Sequence, residues 1–197
     1  MRHEGVKHES RFESLSIRIM EENPLPVMWT PTGPQEDVMN PSIPAPLEFD
    51  HEKIESKLAM AIKEEGAIGD VARQISEQLV DHLKKEEEFA FPPLGALDQV
   101  VLGKDIDPEP LIRTAEMLRA RLPRMYAEHQ EIVRLVDVMA EAAVAAGRHE
   151  YVELARELRI HTCLEEEILY PAAILLGDYL RLKMELEELR VTQISSA

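Results

Sequence analysis

From Leu47 onward, apolar residues recur at intervals of three and four, the spacing that lines one face of an α-helix. His51, Ile54, Leu58 and Ile62 form the first stripe, over 47–65, and Gly66 and Gly69 end it. Asp70 reads as the N-cap of a second helix. That helix carries Val71, Ile75, Leu79, His82, Glu86 and Phe89 on one face until Pro92-Pro93 stops it. A connector follows, with Gly95, Gly103 and the run Asp107-Pro108-Glu109-Pro110. The third helix carries Leu118, Leu122, Met125, His129, Ile132, Val136 and Met139; Pro123 is expected to kink or divide it and Gly147 to end it. The fourth carries Tyr151, Leu154, Leu158, His161, Glu165 and Ile168, with Pro171 expected to interrupt it. A further amphipathic helix over 174–189 leads into a polar tail. The short first-to-second and third-to-fourth connections imply antiparallel hairpins, hence an all-α, up-down-up-down four-helix bundle.

Upstream the periodicity disappears. Seven of the 13 prolines fall between Pro24 and Pro46, so this stretch reads as an extended arm. A short helix over Arg11 to Met20 (Phe12, Leu15, Ile19) is expected before it, and Trp29 is expected to anchor the arm to the bundle. Three parts result: an N-terminal extension (1–46), a bundle (47–172), and a C-terminal helix and tail (173–197).

Six polar residues interrupt the apolar stripes in a repeated order. His82-Leu-Lys-Lys-Glu86 returns, reworked, as His161-Thr-Cys-Leu-Glu165. Another histidine lies 31 residues before the first copy (His51) and 32 before the second (His129). At 1.5 Å rise per residue, His51 and His82 lie roughly 21 and 18 Å from their turn, and His129 and His161 roughly 24 and 18 Å from theirs. Each glutamate follows its histidine by one turn on the same face. Four imidazoles and two carboxylates are therefore expected at one level of the core. A lone buried histidine is ordinarily a hydrogen-bonded core residue, and one His-x-x-x-Glu an ordinary helix pair. The duplicated, matched set is not explained that way.

Two buried carboxylates without cations would cost several kcal/mol each. No Lys or Arg shares the central stripes, and Lys85, which flanks one, is expected to reach solvent. Metal is the simplest counter-charge. Imidazole with carboxylate suits iron, manganese or zinc and not calcium or magnesium. Six ligands exceed one tetrahedral zinc and suit two ions, bridged by Glu86 and Glu165. Glu87, Glu88, Glu166 and Glu167 are expected to be solvated, His3, His8 and His149 to lie on the surface, and Cys163 to point away from the histidine face. Tyr126, three residues before His129, is expected to pack, with a hydrogen bond toward the site as the other option.

The chain carries 22 Lys and Arg against 38 Asp and Glu, a net charge of −16, which argues against nucleic acid and anionic membranes as partners. Its single cysteine excludes an intrachain disulfide and suits a reducing compartment. With no apolar run of signal-peptide or membrane-spanning length, the expected location is the cytoplasm.

These residues resemble the hemerythrin-like (HHE cation-binding) family over about 47–172. The resemblance rests on His51, then His82-x-x-x-Glu86 with Phe-Ala-Phe-Pro, then Glu128-His129, then His161-x-x-x-Glu165 with Leu-Tyr-Pro. It implies a four-helix bundle holding two iron ions, oxo- or hydroxo-bridged, that meets O2, peroxide or nitric oxide at an open position. Oxygen-carrying members have a second histidine one turn away on the third helix and a carboxylate five residues after the last histidine. Here Met125 and Val133 occupy the first positions, and Glu165 follows His161 by four. The pattern is similar to a more symmetric six-ligand subgroup, which suits reaction or sensing better than oxygen transport. Catalase-like turnover, an iron- or oxygen-responsive sensor, and a metal-free helical scaffold are the alternatives, in a monomer or homodimer.

Overall fold

A computed structural model describes residues 43–195, all within the second of two units of the chain, Met39–Ala197. The expected short helix over 11–20, the Trp29 anchor, and His3 and His8 lie outside the described residues. The principal helices are α1 (Ala45–Ala61), α2 (Ala67–Lys85), α5 (Pro108–Ala145), α6 (His149–Leu164) and α7 (Tyr170–Ser195), with short α3 (Pro92–Gly95) and α4 (Leu97–Val101) in the connector. α5 packs on α2, α6 and α7, and α1 closes the bundle against α2 and α6. The all-α bundle is the one the periodicity predicts.

Local chemistry sets the ends. Pro44 precedes α1 and Pro46 occupies its first turn, where a missing N–H is harmless. Gly66, not Asp70, is the N-cap of α2: its φ of 75° suits only glycine, and the helix begins four residues earlier than expected. Asp70 sits in the first turn, where its charge complements the helix dipole, paired with Arg73. Asp107 caps α5 by accepting from the Glu109 N–H at 3.1 Å, with Pro108 at the first helical position.

The prolines act differently from expectation. Pro123 does not divide α5, which continues through it as one helix of 38 residues, with a contour of roughly 57 Å. Pro171 does not end the fourth helix either. Glu165–Leu169 forms a π-helical turn in which the Tyr170 N–H reaches the Glu165 carbonyl, five residues back, and α7 continues directly from it. The wider turn relieves the clash and missing donor that Pro171 would bring to an α-helix. Glu86–Ala90 forms the equivalent turn in the second helix, the Phe91 N–H reaching Glu86 O at 2.9 Å. The extra residue per turn also moves Ile168 off the buried stripe, leaving it 56% exposed, and brings Tyr170 inward in its place, at 0%.

Three apolar layers fill the interior. The first, between the hairpin turns and the histidines, includes Ile54, Leu79, Ile132 and Leu158; the second, beyond the glutamates, includes Phe89, Phe91, Met125 and Tyr170. The third joins Leu111 of α5 to Leu176 and Leu180 of α7. There a methyl at Gly177 would overlap that of Ala115, so the glycine permits the close approach of the two helices.

The hairpin turns are tied to each other. Arg148 donates to both carboxylate oxygens of Glu64, at 2.5 Å each, and the Tyr151 hydroxyl adds a third bond at 2.8 Å. Arg148 and then Tyr151 hold the Glu64 pKa below the usual range. A depressed carboxylate stabilises the fold above its unfolded pKa of about 4.3, and that contribution disappears as pH falls through its lower folded value. Glu64→Gln is therefore expected to lower the melting temperature at pH 7, with wild type and variant converging below about pH 4. A constant difference down to pH 3 in parallel thermal melts would rule the clamp out.

Candidate metal centre

All six candidate ligands arrive at one level of the core, between the first two apolar layers. His51, His82, Glu86, His129, His161 and Glu165 are each 6% exposed or less. α1 supplies His51, α2 and its π turn His82 and Glu86, α5 His129, and α6 and its π turn His161 and Glu165. Each glutamate begins its π turn, so the helix unwinds directly after the carboxylate, a placement common at functional sites.

The donors form two overlapping groups. His51, Glu86, His161 and Glu165 make one, and His82, Glu86, His129 and Glu165 the other; within each group one donor atom per residue lies within 4.8 Å of the rest. In the first, His161 Nε2 is 2.9 Å from Glu165 Oε1, and His51 Nε2 is 3.5 Å from Glu86 Oε2 and 3.8 Å from Glu165 Oε1. In the second, His82 Nε2 is 3.3 Å from Glu86 Oε1 and His129 Nε2 is 3.3 Å from Glu165 Oε2. His82 and His129 bring their Nε2 atoms to 2.6 Å.

The outward nitrogens are held by a second set of carboxylates. His82 Nδ1 donates to Glu128 at 3.0 Å, His129 Nδ1 to Glu166 at 2.9 Å and His161 Nδ1 to Asp50 at 2.9 Å; Glu87 lies 3.9 Å from His51 Nδ1. The pattern has an approximate twofold order. The acidic residue before each lone histidine (Asp50, Glu128) reaches the histidine of the opposite hairpin's His-x-x-x-Glu. The acidic residue after each glutamate (Glu87, Glu166) faces the lone histidine of its own hairpin. A proton held on Nδ1 leaves the Nε2 lone pair pointing inward, the tautomer a metal requires.

Two expectations are corrected here. Glu166 is not simply solvated, because His129 Nδ1 draws it in, whereas Glu87 stays exposed, as expected. Lys85 does not run free to solvent: its Nζ lies 2.6 Å from Glu128, which Arg124 also contacts at 2.9 Å. Burial opposes the Glu128 charge, but Lys85, His82 and Arg124 outweigh it and lower the pKa to about 2. Glu88, Glu167, His149 and Cys163 are exposed, and Met125 is core, as expected.

Sequence reasoning missed Asp50 and Glu128 as histidine partners, and it missed Tyr170. Its hydroxyl donates to Glu86 Oε1 at 2.5 Å and lies 3.3 Å from the Nε2 atoms of both His82 and His129. Its ring stacks on His129 and on Tyr126, which packs and makes no hydrogen bond to the histidine. Burial, then the charge of Glu86, pushes the Tyr170 pKa far up, so it remains a proton donor.

Electrostatics mark the site as built for added positive charge. Burial, then the Glu165 charge, raises the Glu86 pKa. Burial also works against the Glu165 charge, but His129, His161 and His51 surround it and hold its pKa well down. Burial disfavours the His161 imidazolium, yet Glu165 raises its pKa to about 9; burial also opposes the His82 charge, and Glu86 nevertheless raises its pKa. Six buried atoms nevertheless have no hydrogen-bond partner: both ring nitrogens of His51, His161 Nε2, Glu86 Oε2 and both oxygens of Glu165. Native cores rarely leave such groups unpaired. Orphaned nitrogen and oxygen lone pairs converging from α1, from the π turn after α2, and from α6 with its π turn fit coordinated metal.

The sequence of this chain matches the hemerythrin HHE cation-binding domain over residues 43–173, and the chain belongs to that family. No curated protein and no solved structure matches it. Family and geometry together identify a metal-binding protein built on buried His/Glu groups.

Without metal, a second buried carboxylate is a burden on the fold. Glu86→Gln is expected to raise the stability of chelator-treated protein by on the order of 1 kcal/mol. A lower melting temperature for the metal-free variant would show that Glu86 is satisfied by the protein alone.

Proposed function

We propose that this chain is a non-haem di-iron protein that binds, senses or breaks down a small oxidant: O2, peroxide or nitric oxide. His51 and His161 would hold one ion and His82 and His129 the other, with Glu86 and Glu165 shared. The observation that carries the reading is that two groups of four buried donors have both carboxylates in common. Six protein ligands over two ions leave positions free for an external ligand. Bound iron would supply reversible binding or reduction of that ligand, which the protein side chains cannot provide by themselves.

The chain's own residues prepare the site. Asp50, Glu128 and Glu166 orient three imidazoles, and Lys85 and Arg124 keep Glu128 charged for that task. Tyr170 holds a proton beside Glu86 and the His82–His129 pair, within reach of a ligand that needs one. The apolar layers on both sides exclude water and keep these charges unscreened. Met125, fully buried at the position one turn before His129, supplies no fifth imidazole, which favours reaction or sensing over oxygen transport. The single exposed cysteine fits a reducing, cytoplasmic setting.

Metal analysis tests the ligand set. Wild type is expected to bind two irons, and His82→Ala and His161→Ala each to lose metal; wild-type content in both variants would refute the assignment. Asp50→Asn is expected to weaken metal affinity by about 10- to 100-fold while leaving the fold intact. Addition of peroxide to iron-loaded protein separates the outcomes: steady O2 release, lost in Glu86→Ala, assigns turnover, whereas a spectral change without release assigns sensing. No response to peroxide, O2 or nitric oxide would overturn the proposed function.

A further inference from the structure

α7 has two apolar faces. Ala173, Leu176, Gly177 and Leu180 turn toward α5 and the short connector helices. Leu175, Tyr179, Leu182, Leu186 and Leu189 form a second stripe, spaced four, three, four and three, whose members are 66, 51, 55, 49 and 60% exposed. On a helix of 3.6 residues per turn the two faces point roughly 150° apart. The exposed stripe therefore looks away from the protein's own bundle. A cleft lined by Tyr179, Leu182 and Leu186 runs along it, flanked by Lys183, Glu187 and Arg190.

The spacing is that of a coiled-coil seam, with Leu175, Leu182 and Leu189 at position d and Tyr179 and Leu186 at position a. Ile168, seven residues before Leu175, is exposed and continues the d series. The flanking positions carry ordered charge. Asp178 and Glu185 fall at g, and Lys183 and Arg190 at e. In a parallel pair of identical helices each g residue faces the e residue five positions later on the other strand. Asp178 then meets Lys183 of the second copy, and Glu185 meets Arg190, on both sides of the seam. In an antiparallel pair g faces g and e faces e, so acid meets acid and base meets base.

We propose that this face is the dimer interface of the protein: two copies pair through α7 as a parallel, two-stranded coiled coil. Seam spacing, exposure on the side remote from α5, and self-complementary charge all select a second copy as the occupant. Asp178 also contacts Arg119 within its own chain at 2.5 Å. That pair is solvent-exposed and adds little that a contact across the seam would forfeit. The inference is independent of the metal centre, whose ligands all come from the bundle above this segment.

Sedimentation of the full-length chain at micromolar concentration is expected to give twice the chain mass. The double variant Leu182→Glu/Leu186→Glu is expected to be monomeric while keeping wild-type helicity and metal content. Arg190→Glu is expected to raise the dimer Kd by roughly tenfold, and adding Glu185→Lys to restore it. Strand direction is read in a Cys163→Ser background: Leu175→Cys and Leu189→Cys, tested separately, should each be joined to their own counterpart by a short bis-maleimide. A monomeric wild type, or a dimer that survives the double glutamate substitution, overturns the proposal. Failure of either cysteine to join its own counterpart, as an antiparallel pair would give at both ends, overturns the parallel arrangement.

Discussion

Two carboxylates buried side by side are the constraint around which this protein is arranged. Glu86 and Glu165 are 0 and 1% exposed, with apolar layers on both sides. Among the described residues no lysine or arginine forms an ion pair with them. The four histidines, with the Tyr170 hydroxyl on Glu86, answer the charge, and the histidines in turn need a second ring of acids to fix their protons. Helix depth, hairpin order and the outer salt links of Glu128 follow from that requirement.

The two π turns solve a local geometric problem. Each ligand helix must place a carboxylate one turn after a histidine and then present a large aromatic to the core, next to a proline. An α-helix cannot satisfy all three demands in the available residues. Adding one residue to the turn after Glu86 and Glu165 permits it: Phe91 and Tyr170 enter the core, and the chain accommodates Pro92 and Pro171. The unwound turn thus links the buried histidine and glutamate donors to the packing layer beneath them.

Much of this was legible in the order of residues. Apolar spacing predicted the bundle, and the repeated His-x-x-x-Glu with its upstream histidines predicted which six side chains would meet. The errors have physical causes. Periodicity assumes 3.6 residues per turn, so it placed Ile168 inside and overlooked Tyr170, which only a wider turn brings inward. Proline was read as a helix breaker because sequence alone does not show the compensating π turn, nor that α5 would absorb Pro123. The outer carboxylates were missed because all of these contacts cross between helices distant in sequence; the acidic residue preceding both lone histidines was the available clue. Asp70 was chosen as a cap for its side chain, whereas the backbone at Gly66 decided where α2 begins.

The division of donors between the hairpins has a further consequence. The first hairpin contributes one histidine and a glutamate to each four-residue group, and the second hairpin contributes the same. Neither half of the chain possesses a complete group. Whatever occupies the centre is consequently a clasp between two halves, and it lies well away from the Arg148–Glu64 link that already joins them at their turns. Closing the bundle and filling the centre become one cooperative event.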